Sequence, residues 1–198
     1  MSPARARGLC LAAACWAGAV AAGGDPADRE ARVERIDPAA SEATILVNMR
    51  IGGEVHGRFG AVEGELRPAG GDRWQVEVRL DAAGLQMDGP EWRVRMTRSE
   101  KFLDVERHPR IRFVSRPFPR ALLHEGGLLA GELHLRGLVR GVTFRLEPSR
   151  CKDPGHACPL AVRGGIRRRE FGMEAYRLWV QDEVAFDFRV GLRHAGAP

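Results

Sequence analysis

After a polar stretch that ends at about Glu34 the chain alternates apolar and polar side chains with a period of two, the mark of strands that bury one face and expose the other. Ile45, Val47, Met49 and Ile51 share one parity, and Trp74, Val76, Val78 and Leu80 alternate with Gln75, Glu77, Arg79 and Asp81. Ile111, Phe113 and Ser115 alternate with Arg110, Arg112 and, less cleanly, Val114. Leu129, Gly131, Leu133 and Leu135 alternate with Glu132, His134 and Arg136, and Val142, Phe144 and Leu146 with Thr143, Arg145 and Glu147. Near the end Val184, Phe186, Phe188, Val190 and Leu192 alternate with Asp187 and Arg189. Two less regular stretches, residues 59–67 and 160–169, complete a set of about eight strands. Residues 90–99 alone read as a helix, opened by Pro90 in a position that suits the first turn. Gly70-Gly71, Gly126-Gly127 and Gly137 supply turn chemistry between strands.

Eight antiparallel strands with one apolar face each, and no internal repeat, predict an all-β sandwich or closed barrel. Strands of about nine residues favour an eight-stranded antiparallel barrel with one short helix, wide enough to fill with side chains or to hold one small ligand as lipocalins do.

The termini change the composition. The chain has 198 residues, of which 44% are hydrophobic and 29% charged, and a formal net charge of +5. Arg5 and Arg7 precede an uncharged alanine-rich run that ends in Ala19-Val20-Ala21, the pattern of a secretory signal peptide over residues 1–21. Its apolar run is shorter than the roughly 20 residues a spanning helix needs. A displaced lipobox, Leu11-Ala12-Ala13-Ala14-Cys15, offers a lipoprotein signal as the competing reading. Loss of residues 1–21 removes two arginines and no acids, lowering the charge from +5 to +3. A polar linker (22–34) then leads into the barrel (35–195). Export places the mature chain in the periplasm or outside the cell.

Cys10 and Cys15 leave with the signal, and Cys151 and Cys158 remain, flanking a turn with Pro154 and Gly155. In an oxidising compartment they read most simply as a disulfide. A free pair, or half a zinc site with His156, is the alternative, and no second ligand pair at metal spacing accompanies them. The chain carries no GxSxG, HExxH or P-loop. His56, His108, His124, His134, His156 and His194 are scattered, so no catalytic residues and no cofactor are expected. Arginines alternate outward around the whole barrel rather than forming one stripe, which argues against nucleic acid. Arg140, Arg145, Arg167 and Arg169 read as a solvated face, with attraction to anionic lipid heads as a secondary expectation.

Parity assigns Ile45, Val47, Met49, Trp74, Val76, Val78, Phe113, Leu133, Leu135, Val142, Phe144, Phe186 and Phe188 to the interior. Such a lining either packs solid or suits a hydrocarbon chain. Each buried CH₂ contributes about 0.8 kcal/mol, so a five-carbon unit contributes at most about 4 kcal/mol before ordering costs. Small residues on inward parity, Gly131, Gly164 and Ser115, favour room for a ligand. Arg168 shares parity with Val162, Gly164 and Ile166, which aims a cation inward. It either meets a polar head group or forms an ion pair with Asp182, Glu183 or Glu170.

Four runs carry a family likeness: GRFGAVEGEL from Gly57, EKFLDVERHPRIRF from Glu100, GELHLRGLVRGVTFRLE from Gly131 and RREFGMEAYRLWVQDEVAFDF from Arg168. In order, and over about residues 33–192, they resemble the successive blocks of the YceI-like family. The resemblance implies a lipocalin-like barrel that binds a long polyisoprenoid chain, a polyprenyl phosphate or a quinone tail, without enzymatic activity. It adds Phe59, Phe102 and Phe171 to the lining and matches Arg168 to the arginine of the family's R-x-x-F-G block. Met49 stands where the family often has histidine, and Arg93-Val94 where it has an RD pair, so no polar contact is carried over at those positions.

Overall fold

The computed structural model describes residues 33–194; the expected signal peptide, the cysteines at 10 and 15, and nearly all of the expected linker lie outside the described residues. The strands are β1 (Glu34–Met49), β2 (Glu54–Arg58), β3 (Val62–Pro68), β4 (Arg73–Asp81), β5 (Gln86–Met87), β6 (Arg110–Ser115), β7 (Phe118–Pro119), β8 (Gly127–Leu135), β9 (Leu138–Leu146), β10 (Leu160–Arg167) and β11 (Val180–His194). Eight of them, in the order β1-β3-β4-β6-β8-β9-β10-β11, close into an antiparallel barrel when β11 pairs back onto β1. The expected all-β barrel with one short helix is therefore the observed architecture. Outside it, β2 continues the β1 edge where β3 leaves off, and β5 and β7 add two-residue pairings.

The helix α1 (Glu91–Arg98) follows Pro90 and carries Glu91 in its first turn and Arg95 and Arg98 in its last, charges that complement the helix dipole. The Arg98 guanidinium donates through Nη2 to the Leu85 carbonyl (2.9 Å), fastening α1 to the segment between β4 and β5. A single further turn, α2 (Leu122–Glu125), precedes β8.

Three sequence expectations change. First, β1 begins eleven residues before Ile45, and a register irregularity between Asp37 and Glu42 switches its inward positions from Glu34 and Ile36 to Ala43 and Ile45. A bulge of this kind hides the first half of a strand from a period-two search. Second, the stretch 59–67 is strand only from Val62: β3 turns Val62 and Leu66 inward, Phe59 is buried in the break before it, and a separate strand ahead of the stretch, β2, turns Val55 inward. Third, Ile51 lies in the β1–β2 turn and is 78% exposed.

The barrel is closed off at the β1 start. Glu34 is buried there and accepts Arg120 Nη2 at 2.7 Å, with His156 Nε2 at 3.3 Å. The Arg120 guanidinium lies 4.3 Å over the Trp74 ring. Cys151 and Cys158 are disulfide-bonded, so both are committed to the cross-link rather than to a metal. Their loop docks on β11 through Leu192 N, which donates to the Gly155 carbonyl (2.7 Å). Gly155 has φ +95°, and a Cβ there would lie 2.6 Å from Leu192 Cδ1, so only glycine lets the loop approach this closely.

The outer face is charged. Glu77 on β4 accepts a bidentate pair from Arg112 on β6 (Nε and Nη2, both 2.9 Å) and a further bond from Arg79 Nη1 (2.9 Å). Hydrogen bonding by Arg112 is the main cause that lowers the Glu77 pKa from 4.5 to about 2, against the opposing effect of burial. A depressed carboxylate contributes stability that is present above its unfolded pKa and lost as pH falls through its folded pKa. Glu77→Gln is expected to lower stability at pH 7 by about 1 kcal/mol, solvent screening of the partly exposed arginines included. The difference should fade between pH 4.5 and about 2. Urea unfolding across that range measures it, and a pH-independent difference would remove the ion pairs as its cause.

Candidate ligand cavity

Inward side chains from the eight barrel strands leave two voids rather than one tunnel. One, about 80 Å³, is lined by Val76, Phe113, Leu133, Phe144, Phe186 and Phe188 among the expected residues, with Val78 and Leu192 beside them. The other, about 100 Å³, is lined by Ile45, Val47, Met49, Phe59, Phe102, Leu135, Phe186 and Arg168. Ile111 and Phe186 line both and form the partition. Phe186 stacks on Phe59 (ring centroids 6.5 Å) and on Phe188 (5.7 Å), and meets Phe144 edge-on at 6.2 Å. Phe144 in turn contacts Phe113 edge-to-face at 5.1 Å. Such pairs contribute about 0.5–1.5 kcal/mol each beyond their buried area, so the partition is a packed cluster of aromatic rings.

Two expected lining residues serve elsewhere. Trp74 lies beneath Arg120 at the closed end, and Phe171 is fully buried as the last residue of the 3-10 turn Arg168–Phe171, where its carbonyl accepts Arg136 Nη1 (3.1 Å). Val142 is half-buried and packs against the core without lining either void. The small inward residues do not leave ligand space. A Cβ on Gly131 would strike the Phe113 ring and the Val114 carbonyl, and one on Gly164 would meet Phe144 Cδ1 at 2.5 Å. Ser115 Oγ accepts the Val76 N–H (3.0 Å). These positions are small because neighbouring rings and backbone occupy the room.

The second void is the adaptable one. Met49, Met87, Met96 and Met173 all line it, four of the five methionines in the chain. Methionine side chains are unbranched and re-pack at low cost. They come from β1, β5, α1 and the segment after the 3-10 turn, so no periodicity connects them; only the scarcity of methionine elsewhere hints at them. Met49, where the chain departs from the family blocks, faces this void, as does Arg93 of the Arg93-Val94 pair. Trp92 and Thr97 of α1 complete its rim.

Arg168 is the principal buried charge here. The strand ends at Arg167, so the 3-10 turn delivers Arg168 inward, 2% exposed. Its guanidinium donates to the carbonyls of Ala175 (Nη2, 2.7 Å) and Gln181 (Nη1, 3.3 Å) and lies 4.7 Å over the Phe102 ring, while Nε has no protein acceptor. The alternative of an ion pair is not realised. Asp182 bonds Arg169 at 3.0 Å, and Glu170 lies 3.8 Å from Arg167. Burial lowers the Arg168 pKa, only partly offset by the charge of Asp182; an arginine nevertheless keeps its proton in a protein. A desolvated cation without a bonded carboxylate, facing hydrocarbon walls, is suited to an anionic or carbonyl head on an apolar tail. Arg140, Arg145, Arg167 and Arg169 are exposed, as expected of a solvated face.

Residues 35–192 match the model of the YceI-like domain. No curated protein matches the chain by sequence. Among solved structures, a polyisoprenoid binding domain from Saccharophagus degradans is similar with a TM-score of 0.63 and 14% identity over 82% of this chain and 98% of that one. BcnA from Burkholderia cenocepacia gives 0.65 and 17% identity over 80% and 99%. The YceI protein of Campylobacter jejuni gives 0.52 and 14% over 71% and 85%. At these identities the likeness shows the fold.

Arg168→Met is expected to weaken binding of dodecyl phosphate by about tenfold while leaving dodecanol binding unchanged, both read by calorimetry. An equal loss for the two amphiphiles would assign Arg168 to holding the Ala175 and Gln181 carbonyls alone.

Proposed function

The chain belongs to the YceI-like family, and from that premise we propose that it binds a long-chain isoprenoid lipid inside the barrel and sequesters or carries it in the periplasm or outside the cell, after cleavage near Ala21. The head is a polyprenyl phosphate or a quinone placed at Arg168, and the tail runs from the methionine-rich void past Phe186 into the other. No catalytic group and no cofactor take part; the lipid is the ligand. The observation that carries the reading is the pairing of hydrocarbon-walled voids with a buried guanidinium that has no bonded acid.

The volumes set a condition. A cavity of about 150 Å³ in a protein core admits benzene, and each void is smaller than that. A polyprenyl tail therefore requires the Phe186 partition to swing and the methionines to re-pack, joining the voids. The same small volumes favour a second reading, a packed barrel that serves as an envelope-stress or protein-interaction module.

Native mass spectrometry with organic extraction separates the two. After purification from native membranes the protein is expected to carry a polyprenyl or quinone species that organic solvent releases. A clean apo mass from the same preparation would favour the packed barrel.

A further inference from the structure

Two neighbouring turns extend from the barrel end that holds the methionine-rich void. The β1–β2 turn carries Arg50 and Ile51, and the turn before β11 carries Tyr176, Arg177, Leu178 and Trp179. They are tied together: the Arg50 backbone N–H donates to the Trp179 carbonyl (2.8 Å), and Arg50 Nε donates to the Arg177 carbonyl (2.9 Å). Ile51, Leu178 and Trp179 nevertheless stand 78%, 77% and 60% exposed.

The second turn is shaped to present them. Tyr176 adopts φ +60°, a left-handed conformation that is unfavourable for a bulky residue and that marks functional sites when it persists. Its carbonyl accepts the N–H groups of both Trp179 and Val180 (2.8 Å each), which tightens the turn and pushes Leu178 and Trp179 outward. Its ring stacks on Phe102 (5.6 Å), the same ring that lies beneath the Arg168 guanidinium. The turn is therefore continuous with the wall of the void.

We propose that these two turns are a membrane-docking surface, which inserts Ile51, Leu178 and Trp179 into the interface of an anionic bilayer and brings the void beside Arg168 to the lipid it loads or releases. The purpose assigned to the surface rests on the isoprenoid reading; the docking itself is tested apart from it. Three features select a bilayer over a protein partner. Side chains that stand nearly free of their own surface can be immersed, but they offer little of the roughly 800 Å² a side that a stable protein interface buries. Tryptophan is favoured at the lipid–water boundary, and isolated large apolar side chains at a turn tip bind there. Arg50 and Arg177, which make no ion pair among the described residues, place two cations on the tips, where anionic head groups attract them; Glu54 and Glu174 stand at the bases of the turns.

The test uses vesicles of phosphatidylcholine alone and of phosphatidylcholine with about 30% phosphatidylglycerol. The wild type is expected to co-sediment with the anionic vesicles, more weakly as salt is added, with a blue shift in tryptophan emission. Ile51→Ser/Leu178→Ser/Trp179→Ser should lose at least about tenfold in partitioning while keeping its thermal midpoint and its binding of detergent-solubilised polyprenol. Arg50→Glu/Arg177→Glu, which leaves the apolar tips intact, should abolish the preference for anionic vesicles. Equal partitioning of wild type and variants overturns the proposal, as does a wild type that ignores both vesicles or a dimer that the triple variant converts to monomer. Vesicle binding by a protein that never carries isoprenoid would leave the docking surface standing and remove the cargo reading.

Discussion

Pairing of β1 with β11 closes the sheet, and the rest of the molecule follows from that closure. The two longest strands run antiparallel from Glu34 opposite His194 to Met49 opposite Val180, with irregularities between Asp37 and Glu42 and between Val47 and Met49. A sheet that ends on itself here has no exposed edge along its main seam. Every inward side chain must then share one interior of fixed width, and the outward ones lie on the solvent side. The two-residue period of the strands decides which is which, and ion pairs such as Glu77 with Arg112 occupy the outer positions.

Within that fixed width the aromatic rings compete for room. Gly131 and Gly164 give way to Phe113 and Phe144, and the rings that gather around Phe186 divide the remaining space. The division is unequal in character. The void bounded by β4, β6, β8, β9, β10 and β11 is lined by apolar side chains alone, below a closed end secured by Glu34, Arg120 and the disulfide loop. The void beneath α1 is walled by methionines and carries Arg168. Desolvating a guanidinium against carbonyls alone is costly, and a fold that bore the cost only for packing would do better with a hydrocarbon of the same volume. The head group proposed to bind there would offset the cost.

Much of this was legible because period two is a strong local signal. The phase within β4, β6, β8, β9 and β11, the bounds of α1 to within a residue, the cysteine pairing and the inward aim of Arg168 were all carried by short stretches of sequence. What escaped depends on long-range geometry. The first half of β1 is out of phase with the second because of the irregularity after Asp37, so no single alternation spans it. Glycine on inward parity reads as free space until the ring that fills it, on the strand paired alongside, is seen. Trp74 has the parity of a lining residue, yet Arg120, distant in sequence, covers it and makes it part of the closed end. The methionines around Arg168 come from four separate elements, and nothing local relates them.

The central claim is that the two voids become one when the ligand enters. It is tested most directly by NMR of protein carrying labelled methionine methyls and phenylalanine rings, titrated with a long-chain polyprenyl phosphate. The account predicts that the methyls of Met49, Met87, Met96 and Met173 and the ring signals of Phe186, Phe144 and Phe188 shift together, at the same protein-to-lipid ratio. Shifts confined to the methionines, with the phenylalanine rings unchanged, would show that the partition stays closed and would contradict it.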